Sequence, residues 1–128
     1  MSAITKEVFK RCVSAQQAAH SAVLYVNPPE FTDEGFSTTA SMASERGIVA
    51  LRCGPSEYHV ELFIHAEAER KRWTLVDLLA LPKIRDWMRS NRVDHQAKQR
   101  IEAEVEYAFR LLEGIVSLIP ELRWLRRE

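Results

Sequence analysis

Most of the signals that would place a chain in a specialised class are scarce here. Two cysteines, Cys12 and Cys53, in 128 residues fall far short of a disulfide framework. The opening MSAITKEVFK has no apolar core of the kind a secretory signal needs, so the expected compartment is the cytoplasm. The longest apolar stretch near the end, LLEGIVSLIP, is broken by Glu113 and is far below the roughly 18 apolar residues of a membrane span, so it reads as core helix and no membrane partner is expected. There is no Gly-rich phosphate loop, no internal repeat and no low-complexity tract. Excess charge is missing too. Eighteen basic side chains balance eighteen acidic ones, and no global field draws the chain to nucleic acid or an anionic surface.

What is present is ordinary globular material: 46% hydrophobic and 28% charged residues, in a length typical of one domain. The expectation is a single α+β domain over residues 1–128. Ile4, Val8, Cys12, Ala15, Ala19, Val23 and Val26 recur at helical spacing, so a first helix is expected from Ser2, its cap, to Val26. The prolines of NPPEF end it, and a loop bearing Glu30, Asp33 and Glu34 follows.

From Gly35 to Leu75 the pattern changes to short β-branched and aromatic runs punctuated by turn signals. Strands are expected at about 35–43, 47–53, 57–65 and 71–75, the last being the weakest, and short connections make neighbours antiparallel. Beyond them, Thr74 and Asp77 form a capping box, Pro82 opens a helix running to Asn91, and Asp94 caps a last helix with the stripe Ile101, Val105, Ala108, Leu112, Ile115 and Ile119. Pro120 closes it. The fold class is therefore α+β: an N-terminal helix, a three- to four-stranded antiparallel β-meander, then C-terminal helices packed on one face of the sheet.

One stretch, CGPSEYHVELFIH from Cys53 to His65, is dense in reactive side chains. Alternation sends Tyr58, Val60, Leu62 and Ile64 to a buried face and His59, Glu61, Phe63 and His65 to the other. With Pro55 and Ser56 at the centre of the turn, Cys53 falls opposite Tyr58 and Leu51 opposite Val60, while His59 pairs with Arg52 on the outer face. A buried Cys53 is a small hydrophobe, not a nucleophile beside His59. His59-Val60-Glu61 has the H-x-E spacing of zinc deaminases but lacks their downstream P-C-x-x-C, so that reading fails on ligand count. Three ligands in one strand, His59, Glu61 and His65, would span about 20 Å, too far for one ion. No metal and no cofactor is expected. Ile48 and Phe63, with Phe36 or Met42, give the outer face an apolar part suited to a protein partner.

Elsewhere, Arg70, Lys71 and Arg72 beside Trp73, and Arg123, Arg126 and Arg127 beside Trp124, have a composition that grips phosphates. They read more simply as a polar loop and as cations at a helix C-terminus. An RNA-recognition module is excluded, since RGIVALRC lacks the stacking aromatics. His20 and His95 are expected at the surface.

The function expected is a small protein-binding domain, an inhibitor or immunity-type protein of bacterial kind that neutralises a toxin or enzyme by docking. Arg52, His59, Glu61, Phe63, Glu30, Asp33 and Glu34 are its candidate contacts. The alternative is a small hydrolase or nuclease with His59 and Glu61 as acid and base and Arg52 stabilising an anion. A third reading is a dimeric secretion-type chaperone or adaptor, and the sequence leaves the oligomeric state open.

Overall fold

The computed structural model describes residues 2–69, 72–95 and 100–127. Helix α1, Ala3–Ala19, begins where Ser2 Oγ accepts the Thr5 amide. It is shorter than the helix to Val26 that periodicity suggests. Its buried side chains are Phe9 and Val13, with Val8 and Cys12 beside them, while Ala15 and Ala19 are exposed. The reason is tertiary. Beyond His20 the chain runs antiparallel to its own C-terminus, where the Tyr25 amide donates to the Leu125 carbonyl at 2.8 Å and the Arg127 amide to that of Val23 at 2.7 Å. That pairing satisfies the backbone without a helix and buries Leu24.

Five strands follow: β1 Glu30–Glu34, β2 Ser37–Ala43, β3 Gly47–Cys53, β4 Val60–Ala66 and β5 Arg72–Thr74. They pair antiparallel in chain order, so the meander has one strand more than the three or four expected. The addition is β1, which the sequence presents as an acidic loop. Only Phe31 in it is even half-buried, so there is no apolar alternation to read. Its structure comes from pairing with β2, Glu30 opposite Ser41 and Glu34 opposite Ser37. Charges on a sheet edge also discourage pairing with a foreign strand.

Between β3 and β4, Cys53 lies opposite Val60, Leu51 opposite Leu62 and Val49 opposite Ile64. The ladder is offset by two residues from the tight turn expected, because residues 54–59 form a wider loop with left-handed backbone at Gly54 and Tyr58. A Cβ at Gly54 would come within 2.4 Å of the Phe36 carbonyl oxygen, so the position needs glycine. An offset of two keeps every side chain on its face. Cys53, Val60, Leu62 and Ile64 are accordingly buried, whereas Tyr58 sits exposed in the loop.

Helix α2, Leu75–Leu79, is entered through the reciprocal capping box of Thr74 and Asp77. Helix α3, Pro82–Ser90, has Pro82 in its first turn, and α4, Ile101–Leu118, ends before Pro120 opens a 3-10 helix, Pro120–Leu125. Asp94 is not the cap of α4. Arg100 holds that position, and residues 96–99, part of the expected helix start, lie outside the described residues. The stripe from Ile101 to Ile119 is buried as its spacing implies.

Helices α1 and α4 pack on each other, α1 reaching β2 and α4 reaching β4. Between them and the sheet lie Met42, Leu51, Leu62, Ile64, Phe109 and Ile115. The architecture is α+β with helices on one sheet face. His20, expected at the surface, is instead wedged between α1 and α4, with Nδ1 2.5 Å from Glu113 Oε1 and its ring stacked on Phe109. Among the described residues, no helix is long and apolar enough to cross a membrane.

Candidate functional site

The sheet face turned away from the helices is built by alternation. One row across it reads Glu30, Ser41, Ala50, Phe63, Thr74, and the next Thr32, Thr39, Arg52, Glu61. Small side chains, Thr39, Ser41, Ala43 and Ala50, pave its centre. Ile48 stands up from it at 46% exposure, and half-buried Phe63 lies beneath the Arg72 guanidinium, 4.6 Å from its ring centre.

Arg52, on the central strand β3, sets a cation into the middle of that floor. Its Nη2 donates to Ser37 Oγ at 3.3 Å, while its Nε is buried and has no hydrogen-bond partner. Glu61 stands directly opposite it but bonds at 3.1 Å to His59 Nε2 instead. Ser37 takes one of the five guanidinium donors and the enclosed Nε is out of reach of solvent, so any outside group would be met by the remaining Nη donors.

Of the candidate contacts, Arg52, Glu61 and Phe63 do come together on this face. His59 precedes β4 and lies at its rim, 56% exposed, so it is Glu61 and not His59 that stands opposite Arg52 in the ladder. Glu30 and Glu34 share the face by parity at the β1 edge. Asp33 is turned to the other side, where the Thr38 hydroxyl donates at 2.7 Å and Lys10 Nζ at 3.1 Å. Those two hydrogen bonds, Thr38 first, hold its carboxyl below the ordinary aspartate range. Met42, read as a contributor to the outer face, is fully buried, and Phe36 projects from the β1–β2 turn at 73% exposure.

Cys53 is buried, and desolvation pushes its thiol up to about 11. His65 Nε2 donates to the Glu69 carbonyl at 3.1 Å. Among the described residues no group of three His, Cys, Asp or Glu is placed to hold a metal ion. Arg70 and Lys71 lie outside the described residues.

A second feature has no local signature in the sequence. On the helix side of the β3–β4 loop, a cleft of about 410 Å³ is lined by His59, His95, Glu104 and Tyr107 over Leu62 and Leu79. His95 Nε2 lies 2.8 Å and 3.0 Å from the two Glu104 oxygens, and its ring meets Tyr107 edge-on at 5.1 Å. Burial, with Glu104 and Asp94 adding to it, raises the Tyr107 hydroxyl above the usual tyrosine value. A histidine held by a carboxylate can move protons. Among the described residues no serine, threonine or cysteine lines this cleft, so hydrolysis by those described would draw on water as the nucleophile.

No protein-family model, curated protein or solved structure matches this chain.

Proposed function

We propose that the protein is a binding domain that docks another protein on the open sheet face, of the inhibitor or immunity kind. The observation that carries this reading is Arg52, a half-buried guanidinium with a partnerless Nε, set in a floor of small side chains beside exposed Ile48. Such a surface fits a partner that offers a carboxylate to Arg52 and an apolar side chain to Ile48 and Phe63. The floor measures roughly 20 Å each way, about 400 Å² from strand spacing and rise. A standard interface takes about 800 Å² per partner, so the rims must contribute, and Glu30 and Glu34 at the β1 edge are placed for that.

The test is affinity capture from native lysate with Arg52→Glu and Ile48→Glu beside wild type, using Val76→Glu on exposed α2 as the control. One partner retained by wild type and the control but lost by both face variants, and inhibited stoichiometrically by wild type, supports the reading. Capture indifferent to all three substitutions sinks it. Dimerisation of wild type that Ile48→Glu abolishes would favour the self-associating adaptor instead.

A second reading rests on a separate observation, the cleft lined by His59 and by the His95 and Glu104 pair beside Tyr107. Hydrolysis there would use water, with a histidine as base. Arg52 belongs to the opposite sheet face from Leu62 and lies outside this cleft. Glu61 shares that outer face and does not line the cleft, so alanine at His59 and His95 should lower turnover about 100-fold or more if they act there as acid and base, and leave docking only mildly weakened if they do not.

A further inference from the structure

The zero net charge conceals one strongly basic place. Residues 23–27, the β2–β3 turn and the C-terminal 3-10 helix converge there, joined by the Tyr25 amide to the Leu125 carbonyl and the Asn27 amide to the Ala43 carbonyl, both at 2.8 Å. A cleft of about 420 Å³ opens between them. Arg46, Arg123, Arg126 and Arg127 line it, with Glu45 the only acid among its described lining residues, leaving three positive charges in excess.

Most of this charge is unspent. Arg127 Nε donates to the Ser21 carbonyl at 2.5 Å and its guanidinium lies 5.0 Å from the Tyr25 ring centre. Among the described residues, the guanidiniums of Arg46, Arg123 and Arg126 form neither an ion pair nor a hydrogen bond. A helix dipole does not account for the cluster, since that field fades within the last turn and Arg46 comes from a different element. Four like charges held together repel one another, and an anion between them removes that cost.

The back of the cleft is closely packed. Trp124 sits against Gly47, where an added Cβ would approach Trp124 Cη2 to 2.7 Å, and its buried Nε1 has no hydrogen-bond partner. All four cations are arginines, whose planar forks match phosphate oxygens two at a time. A phosphate monoester carries roughly 1.5 to 2 negative charges at neutral pH, so two phosphoryl groups balance the excess where one carboxylate would not. The volume is that of a small-molecule site.

We propose that this cleft binds a small ligand bearing a diphosphate group, held by Arg46, Arg123 and Arg126. This inference is independent of the docking face, with which it shares no residue. Tyr25 also lines the cleft, an aromatic partner for a nucleobase, so a nucleotide and free pyrophosphate are two sources of the same chemistry.

Calorimetric titration of the full chain at low ionic strength with pyrophosphate, ADP and adenosine tests it. Pyrophosphate and ADP should bind and adenosine should not. Arg123→Gln and Arg126→Gln, both at exposed positions, should each weaken binding roughly tenfold, the scale of one charge-assisted hydrogen bond, while Arg85→Gln on α3 leaves it unchanged. Arg46→Gln gives the same readout should either variant fail to fold. ADP binding more tightly than pyrophosphate assigns a nucleotide, and equal affinity assigns the free oxyanion. Binding no stronger than that of sulfate, or an equal loss in Arg85→Gln, overturns the proposal.

Discussion

Arg52 and Glu61 stand directly opposite each other on β3 and β4, yet the guanidinium turns to the Ser37 hydroxyl and the carboxylate to His59. Two opposite charges that face each other without pairing add little to stability. The bond to Ser37, at 3.3 Å, contributes about 1 kcal/mol at most, and a buried Nε without a partner costs a comparable amount. Arg52→Met keeps the aliphatic stem and removes the charge. Urea unfolding should find it within about 0.5 kcal/mol of wild type while capture of the docking partner is lost. A destabilisation above about 2 kcal/mol would make Arg52 a structural residue and remove the main support for the docking face.

Cys53 offers a chemical check on the same hairpin. With its thiol pushed up to about 11 by burial, roughly one molecule in a thousand carries the thiolate near pH 8. Iodoacetamide should leave Cys53 unmodified in the native protein and alkylate it in denaturant, as read by mass spectrometry of the cysteine peptides. Rapid native alkylation would mean that the β3–β4 end opens to solvent. Cys53→Ser, which places a hydroxyl in the same apolar setting, should cost about 1–3 kcal/mol.

What could be read from residues alone follows the physics of each signal. The stripe from Ile101 to Ile119 was legible because a buried helix imposes its period on every third or fourth position. The burial of Cys53, Leu62 and Ile64 was legible although the register was not, since parity survives an offset of two and turn width depends on the backbone at Gly54 and Tyr58. β1 was hidden because an edge strand half-burying only Phe31 leaves no alternation to detect. Arg123 and Arg126 stood out beside Trp124, but their convergence with Arg46, and the placing of His59 and His95 in one cleft, were out of reach. Chain convergence creates both, and no local pattern encodes it.

Gly114 tests how α3 is held on α4. Replacing glycine by alanine inside a helix ordinarily gains about 1 kcal/mol. Here the new Cβ would meet ring carbons of Trp87 at 2.6 Å, so the indole must move or α3 must lift. Gly114→Ala should destabilise the protein by about 1–3 kcal/mol despite its better propensity, with a change in tryptophan emission. A net gain in stability would show that Trp87 has room to swing away at little cost.

Asp33 should carry part of the acid sensitivity of the fold. Its carboxylate is held by the Thr38 hydroxyl first and by Lys10 second, which places its native pKa below the usual value. Such a group stabilises the native state fully above its unfolded pKa, about 3.9, and loses that contribution as pH falls through the lower native value. The window therefore lies below about pH 4, and at neutral pH the contribution is complete. Urea midpoints followed from neutral to acid should show Asp33→Asn slightly less stable than wild type at neutrality, with the two curves converging at low pH. Lys10→Met should remove the ion pair and keep the Thr38 bond, giving a smaller change of the same sign. Parallel curves for wild type and Asp33→Asn across the acid limb would assign the pH sensitivity to other carboxylates and leave the β1 edge tied to α1 by geometry alone.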